Sequence, residues 1–167
     1  MMSRAWAMPS GATFTIKPIK SLLEKYVGDG KLWADPFAGN NSPAEFTNDL
    51  DPSTKAKDHE LAKDWVRKLP SNLKGALFDP PYSYRQVMEH YTAIGRTVHQ
   101  DDTGSYFYSS VKRLLAPKIE FGGLIICFGW NSTGMGKNLG FSLVEVLLVC
   151  HGGHNNDTIV TVEKRRT

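Results

Sequence analysis

A chain of 167 residues, 41% of them apolar, with 20 Lys and Arg against 17 Asp and Glu, has the size of one globular domain with one core. No apolar run approaches the ~20 residues a membrane-spanning helix needs, and the opening Met1-Met2-Ser3-Arg4-Ala5-Trp6 lacks the apolar stretch of a signal peptide. The formal charge of +3 does not announce a polyanionic partner, although Lys164-Arg165-Arg166, Lys112-Arg113 and Arg85 are local basic groups. Cys127 and Cys150 both lie in strand-like runs, so buried thiols in a reducing cytoplasm are expected.

In chain order, Ile19, Leu22, Leu23 and Tyr26 recur at helical spacing over Ile19–Val27, and Gly28 and Gly30 stop the run. Lys31–Ala34 reads as a short strand ending at Asp35, and Glu45–Asp49 as a second with an acidic end. Lys57–Leu69 aligns Leu61, Trp65 and Leu69 on one helix face, and Pro70 closes it. Ala76–Phe78 is a third strand. Tyr84–Ile94 and Ser105–Leu115 read as helices on either side of the polar stretch Val98–Gly104. Gly123–Gly129 carries an unbroken apolar run suited to the middle of a parallel sheet. Phe141–Cys150 and Thr158–Glu163 form a hairpin with His151–Asp157 as its turn. Helices alternating with strands up to a terminal hairpin predict an α/β fold with a doubly wound, mostly parallel sheet and an antiparallel C-terminal edge.

In such a sheet, ligands bind beyond the carboxyl ends of the strands. Asp35, Asp49 and Asp79 are all expected there, and packing does not explain three acids on one rim. Asp79 opens the tetrapeptide Asp79-Pro80-Pro81-Tyr82. Two prolines fix φ near −65° and remove two N–H donors, so the chain leaves the strand as a stiff corner. A carboxylate, backbone carbonyls and an aromatic face then point outward together. That set suits a flat ring bearing an exocyclic amine.

Thr15-Ile16-Lys17-Pro18, followed by Asp35-Pro36-Phe37-Ala38-Gly39 and then Asp79-Pro80-Pro81-Tyr82, resembles the motif series of the DNA amino-methyltransferases. The resemblance covers nearly the whole chain. It implies a single Rossmann-like methyltransferase domain over residues 1–167 with S-adenosyl-L-methionine as cofactor. It implies cofactor-binding roles for Thr15, Lys17, Pro18, Asp35, Pro36, Phe37, Ala38, Gly39, Asp49 and Asp79, with no metal. Independently of family, a glycine at 39 permits close backbone approach to a ligand. The peptide N–H groups after the strand suit a carboxylate, and Asp35 suits an amino group. Asp49 and Asp51 compete for the ribose hydroxyls; Asp49 is nearer the strand end, and Asp51 has an alternative role capping a following helix. Phe37 either touches an adenine ring or packs. Where the family loop has its second glycine, this chain has Asn41, a residue that tolerates φ > 0. About ten residues separate Gly39 from the Asp49 strand end, too few for an intervening helix.

The same resemblance implies catalysis by Asp79, Pro80, Pro81 and Tyr82. Hydrogen bonds from an amine such as adenine N6 to the Asp79 carboxylate and the Pro80 carbonyl favour a more nucleophilic nitrogen and stabilise its growing charge. Tyr82 stacks on a base flipped from a duplex or presented in a single strand. Ser83, Tyr84 and Arg85 are placed to meet a flanking nucleotide. DNA is the expected substrate and adenine N6 the expected target, with cytosine N4 chemically similar. An RNA base methyltransferase and a non-catalytic cofactor-binding protein are the alternatives. Tyr84–Ser105 is the one candidate for target recognition, so low sequence specificity, a homodimer or a partner supplying recognition is expected. Gly134-Met135-Gly136-Lys137 lacks the spacing of a phosphate loop and reads as a loop over the site, while His151 and His154 lack the second ligand pair of a zinc site.

Overall fold

The computed structural model describes residues 1–81 and 105–166. The predicted helix Tyr84–Ile94 and the stretch Val98–Gly104 lie outside these. Among the described residues seven strands form one sheet in the order β1-β6-β7-β5-β4-β2-β3. They are β1 (Met2–Trp6), β2 (Trp33–Asp35), β3 (Phe46–Thr47), β4 (Leu73–Phe78), β5 (Ile119–Gly129), β6 (Phe141–Cys150) and β7 (Thr158–Arg165). β3, β2, β4 and β5 run parallel; β7 is antiparallel between β5 and β6, and β1 pairs parallel with β6. The expected α/β fold with its C-terminal antiparallel pair is therefore present. The hairpin is not at the edge, however. β7 is interior, and β1 covers the outer side of β6.

Helices α1 (Lys17–Tyr26), α2 (Ala62–Lys68) and α3 (Ser105–Leu115) cover the two faces. Successive strand residues point to opposite faces, and the core divides accordingly. Leu77, Ile126 and Phe128 pack toward Ile19, Leu22 and Leu23 of α1. Ala76, Phe78, Ile125 and Cys127 pack toward Trp65 and Val66 of α2 and Phe107, Val111 and Leu115 of α3. Glu145 of β6 ties α1 to the sheet by accepting from Lys25 Nζ (2.7 Å) and Tyr26 Oη (2.5 Å).

Three expected elements differ in extent. The Lys57–Leu69 helix begins only at Ala62, because Asp58 bridges to Asn48 beside the sheet and accepts from Trp65 Nε1 (2.8 Å). Lys31 and Leu32 form a turn instead of a strand: Leu32 takes φ 59° and Trp33 N donates to the Gly30 carbonyl. β5 starts at Ile119, well before Gly123. The basic run Lys164-Arg165-Arg166 sits at the amino-terminal end of β5, since Lys164 registers with Leu124. Arg165 donates to the Ile119 carbonyl and lies over the Phe121 ring, and Arg166 Nε donates to Ser142 Oγ.

The loop after β5 is held from beneath. The buried carboxylate of Glu163 accepts from Met135 N (2.5 Å) and Gly136 N (3.0 Å), and Lys112 Nζ donates to the Gly134 carbonyl (2.5 Å). Removing a buried acceptor strands its donors, which costs about 1–3 kcal/mol. Glu163→Ala is accordingly expected to lower urea-unfolding stability by about 2 kcal/mol, with Glu163→Gln losing less; equal midpoints for wild type and Glu163→Ala would contradict this.

Candidate active site

The chain passes from β2 to β3 in one direction and returns to β4 on the other side of β2. The switch point of the sheet is thus between β2 and β4, where doubly wound folds bind ligands. Asp35 is the last residue of β2, and Asp79 follows the last residue of β4. Asp49 follows β3 by two residues. The topology therefore brings all three acids to one rim.

Asp35 is fully buried, and its carboxyl accepts from Phe37 N (3.0 Å) and Ser42 Oγ (2.7 Å). Burial pushes its pKa up to about 7; the two hydrogen bonds oppose that rise, and the Asp79 and Asp49 charges add to it. Asp79 reaches solvent along one side, yet protein atoms crowd its carboxyl and raise it to about 7 as well. The Thr13 hydroxyl donates to Asp79 and acts in the opposite direction. Two acids raised by lost solvation and, at Asp35, by like charge form a site that a cation would relieve.

The loop after Asp35 is held by its own amides. Phe37 N donates to Asp35, Ala38 N to the Asn48 carbonyl (2.8 Å) and Gly39 N to Asp49 Oδ2 (2.9 Å). The expectation that these N–H groups point to a ligand carboxylate is thereby corrected: all three are engaged within the protein. Asp49 also accepts from Asp51 N (2.9 Å), so its carboxylate staples the loop to the end of β3. Gly39 has φ 53° with open space around its Cα. The backbone angle, and not crowding, requires glycine there. Pro36 and Ala38 are buried. Phe37 packs edge-on against Phe78 (5.4 Å) and Tyr108 (5.9 Å). Asn41 does not use the left-handed region, since Leu32 is the one non-glycine with positive φ among the described residues. Asp51 does not cap a helix; its carboxylate accepts from Ser53 N in a turn.

The Thr15-Ile16-Lys17-Pro18 segment is a 3-10 turn leading into α1, with Pro18 in the first helical turn, where a missing N–H costs nothing. Phe14 anchors the turn on Phe128, 5.1 Å between ring centres. Thr15 and Lys17 are exposed, and the Thr15 hydroxyl donates to the Ala12 carbonyl (2.8 Å). The residue that links this turn to Asp79 is Thr13, which the motif reading passed over. Ser42 and Asn48 were missed likewise. Buried Asn48 donates to the Pro36 and Glu60 carbonyls and accepts from Glu60 N, joining the loop to the segment before α2. A short polar side chain beside an Asp-Pro loop was the one sequence signal available for either.

Pro80 is buried, and the Pro81 carbonyl accepts from Tyr108 Oη (3.0 Å), so α3 braces the corner. Tyr82, Ser83, Tyr84 and Arg85 lie outside the described residues. Cys127 and Cys150 are buried free thiols, and burial pushes Cys127 up to about 12, far from a nucleophilic thiolate. The His151 ring is hydrogen-bonded to the Ala7 carbonyl and Thr158 Oγ1, which ties the β6–β7 turn to the end of β1.

The raised acids have a consequence for stability. Between pH ~4 and ~7 the folded chain holds protons on Asp35 and Asp79 that the unfolded chain releases, so their contribution to stability falls as pH rises through that window. A urea-midpoint titration is expected to show this decline, and to show less of it in Asp79→Asn. An identical pH dependence in the variant would refute the assignment.

No protein-family model matches the sequence, and a search of curated proteins gives no match. Solved structures do share the fold. TrmN from Thermus thermophilus superposes with a TM-score of 0.57 at 16% identity, over 90% of this chain and 49% of that one, so this chain spans about half of its length. The putative methyltransferase yhhF from Escherichia coli gives 0.56 at 12% identity, over 90% of this chain and 85% of that one. The 1,6-didemethyltoxoflavin-N1-methyltransferase of Burkholderia thailandensis, solved with bound 1,6-didemethyltoxoflavin and S-adenosylhomocysteine, gives 0.55 at 13% identity, over 90% of this chain and 78% of that one. No helix among the described residues is long and apolar enough to cross a membrane. The fold of this chain is the Rossmann-like fold of these methyltransferases.

Proposed function

We propose that this chain is an S-adenosylmethionine-dependent methyltransferase acting on the exocyclic amine of a DNA base, with adenine N6 as the target. The observation that carries the reading is Asp79: a carboxyl at the switch point, followed by two prolines and on the same rim as Asp35 and Asp49. Asp49 and the loop Pro36–Gly39 would hold the cofactor, with buried Asp35 fixing that loop from beneath, and the acidic rim suits the cofactor's ammonium and sulfonium charges. When bound, it supplies an electrophilic methyl group.

The chain's own residues then have distinct tasks. Asp79 and the Pro80 carbonyl accept the two N–H bonds of the substrate amine and orient its lone pair. Thr13 and Tyr108 hold that corner still, Thr13 through the carboxyl and Tyr108 through the Pro81 carbonyl. Tyr82 is assigned to stack on the base. Neither cysteine takes part.

The test is transfer of labelled methyl from S-adenosylmethionine to duplex DNA, single-stranded DNA, RNA and free nucleosides, with the product nucleoside identified by mass spectrometry. N6-methyladenine in DNA is the expected product. Label confined to RNA or to a small molecule would refute the DNA assignment, and cofactor binding without transfer to any acceptor would refute catalysis.

A further inference from the structure

Trp33 and Trp65 are 3% exposed, as core tryptophans are, but Trp6 and Trp130 are 68% and 48% exposed. Large aromatic surface in water is costly unless something covers it. Both exposed rings line one open groove of about 510 Å³, together with Arg4, Asn155, Asn156 and Gly152. Trp6 ends β1, Trp130 follows β5, and Gly152 and the two asparagines belong to the β6–β7 turn.

The groove is on the same rim as Asp79. β6 and β1 run in the direction of β5, so their carboxyl ends share its side of the sheet. Phe78 registers with Cys127, so Asp79 and Trp130 leave adjacent strands, and with strands ~4.8 Å apart their backbones are on the order of 10 Å from each other. From β5 the groove crosses β7 and β6 to β1, three strand spacings or roughly 15 Å.

Its chemistry is that of a stacking platform. Arg4 Nε donates to Cys150 Sγ (3.1 Å), and the guanidinium carbon lies 5.7 Å from the Trp6 ring centre. The cation thus sits over one face of the Trp6 ring. A side chain at position 152 would come within 3.1 Å of the Trp6 ring, so glycine lets that ring lie against the turn. Two side-chain amides supply donors and acceptors. Asp157, the acid of the groove, has its carboxylate accept from His151 N (3.0 Å). The opposite half of the rim carries the acids Asp35, Asp49 and Asp79; Asp35 and Asp79 ionise near pH 7, and from there up the three together repel a phosphate backbone. A polyanionic substrate has its favourable path along the Arg4 side.

We infer that the Trp6–Trp130 groove binds the single-stranded nucleotides flanking the target base, stacking bases on the two indoles with Arg4 beside a phosphate. The inference rests on the proposed nucleic-acid substrate and extends it from the reacting base to its neighbours. Base–aromatic stacking is sequence-tolerant, because every base presents a π-face.

Short single-stranded DNA is expected to quench the tryptophan emission of the wild type. Trp6→Ala and Trp130→Ala are each expected to weaken oligonucleotide binding about tenfold, with S-adenosylmethionine affinity unchanged and Trp6→Phe restoring most of the loss. If the wild type binds and methylates the oligonucleotide and both alanine variants bind it equally well, the groove assignment is overturned while the enzymatic reading stands. If the alanine variants lose oligonucleotide affinity but the wild type methylates no nucleic acid, the groove stands and the enzymatic reading falls. If the wild type neither binds nor methylates nucleic acid, both fall. Trp6→Ala shifting a dimer to a monomer with oligonucleotide affinity intact would make the groove a protein interface and overturn the proposal.

Discussion

Asp79→Ala is expected to reduce methyl transfer by about 10²–10³ or more while S-adenosylmethionine still binds. The reason is geometric. Asp79 leaves β4 into two prolines whose second carbonyl is fastened by Tyr108, and Thr13 fixes the carboxyl from the other side. An acceptor held in advance stabilises charge on the amine without reorganising during the reaction. The fold is expected to survive the substitution, because a crowded carboxyl with a pKa near 7 costs energy to ionise, and its removal relieves Asp35. The rate should also depend on pH, rising through about 7 as Asp79 ionises, with that acidic limb absent in Asp79→Asn. Single-turnover kinetics with saturating cofactor measure both. Loss of cofactor affinity in a folded Asp79→Ala protein would place the residue in the cofactor pocket and remove it from the amine.

Asp35→Ala is expected to do the reverse, weakening the cofactor first. Its carboxyl holds Phe37 N–H and the Ser42 hydroxyl in a fully buried place, so alanine leaves both donors without a partner, at a cost of about 1–3 kcal/mol. Phe37 then loses the restraint that sets it edge-on to Phe78 and Tyr108, and the loop loosens. A tenfold or larger loss of S-adenosylmethionine affinity, read by calorimetry, should accompany a lower urea midpoint. Asp35→Asn keeps an acceptor for Phe37 and should recover much of the stability. Asp49→Ala should weaken the cofactor with a smaller stability loss, because Asp49 is only partly buried and water can replace it at Gly39 N. Unchanged cofactor binding in both alanine variants would exclude the acidic rim from the cofactor site.

The fold was legible wherever local pattern carries it. The Ile19-Leu22-Leu23 stripe, the Ser105–Leu115 helix and the apolar run of β5 each record burial in the local pattern, and each lies in the core as that pattern implies, although β5 begins earlier, at Ile119. β1 was not legible. Met2–Trp6 has alternating exposed residues and no β-branched side chain, and its register comes from pairing with β6 at the far end of the chain. The Lys57–Leu69 helix was read too long because Asn48 and Trp65 hold Asp58 out of it, and periodicity does not record such contacts.

The amino-acid sequence by itself determined the alternation of strands and helices, the stiff Asp-Pro-Pro corner and the three acids at strand ends, because turn chemistry and periodicity act over a few residues. The tertiary structure decided which groups those acids hold. The loop amides belong to Asp35, Asn48 and Asp49, Asp79 is gripped by Thr13 from a distant turn, and Trp6 and Trp130 meet in one groove. The last two join segments far apart in the chain, and only the order of strands in the sheet fixes them; the loop amides close locally, between β2 and the end of β3.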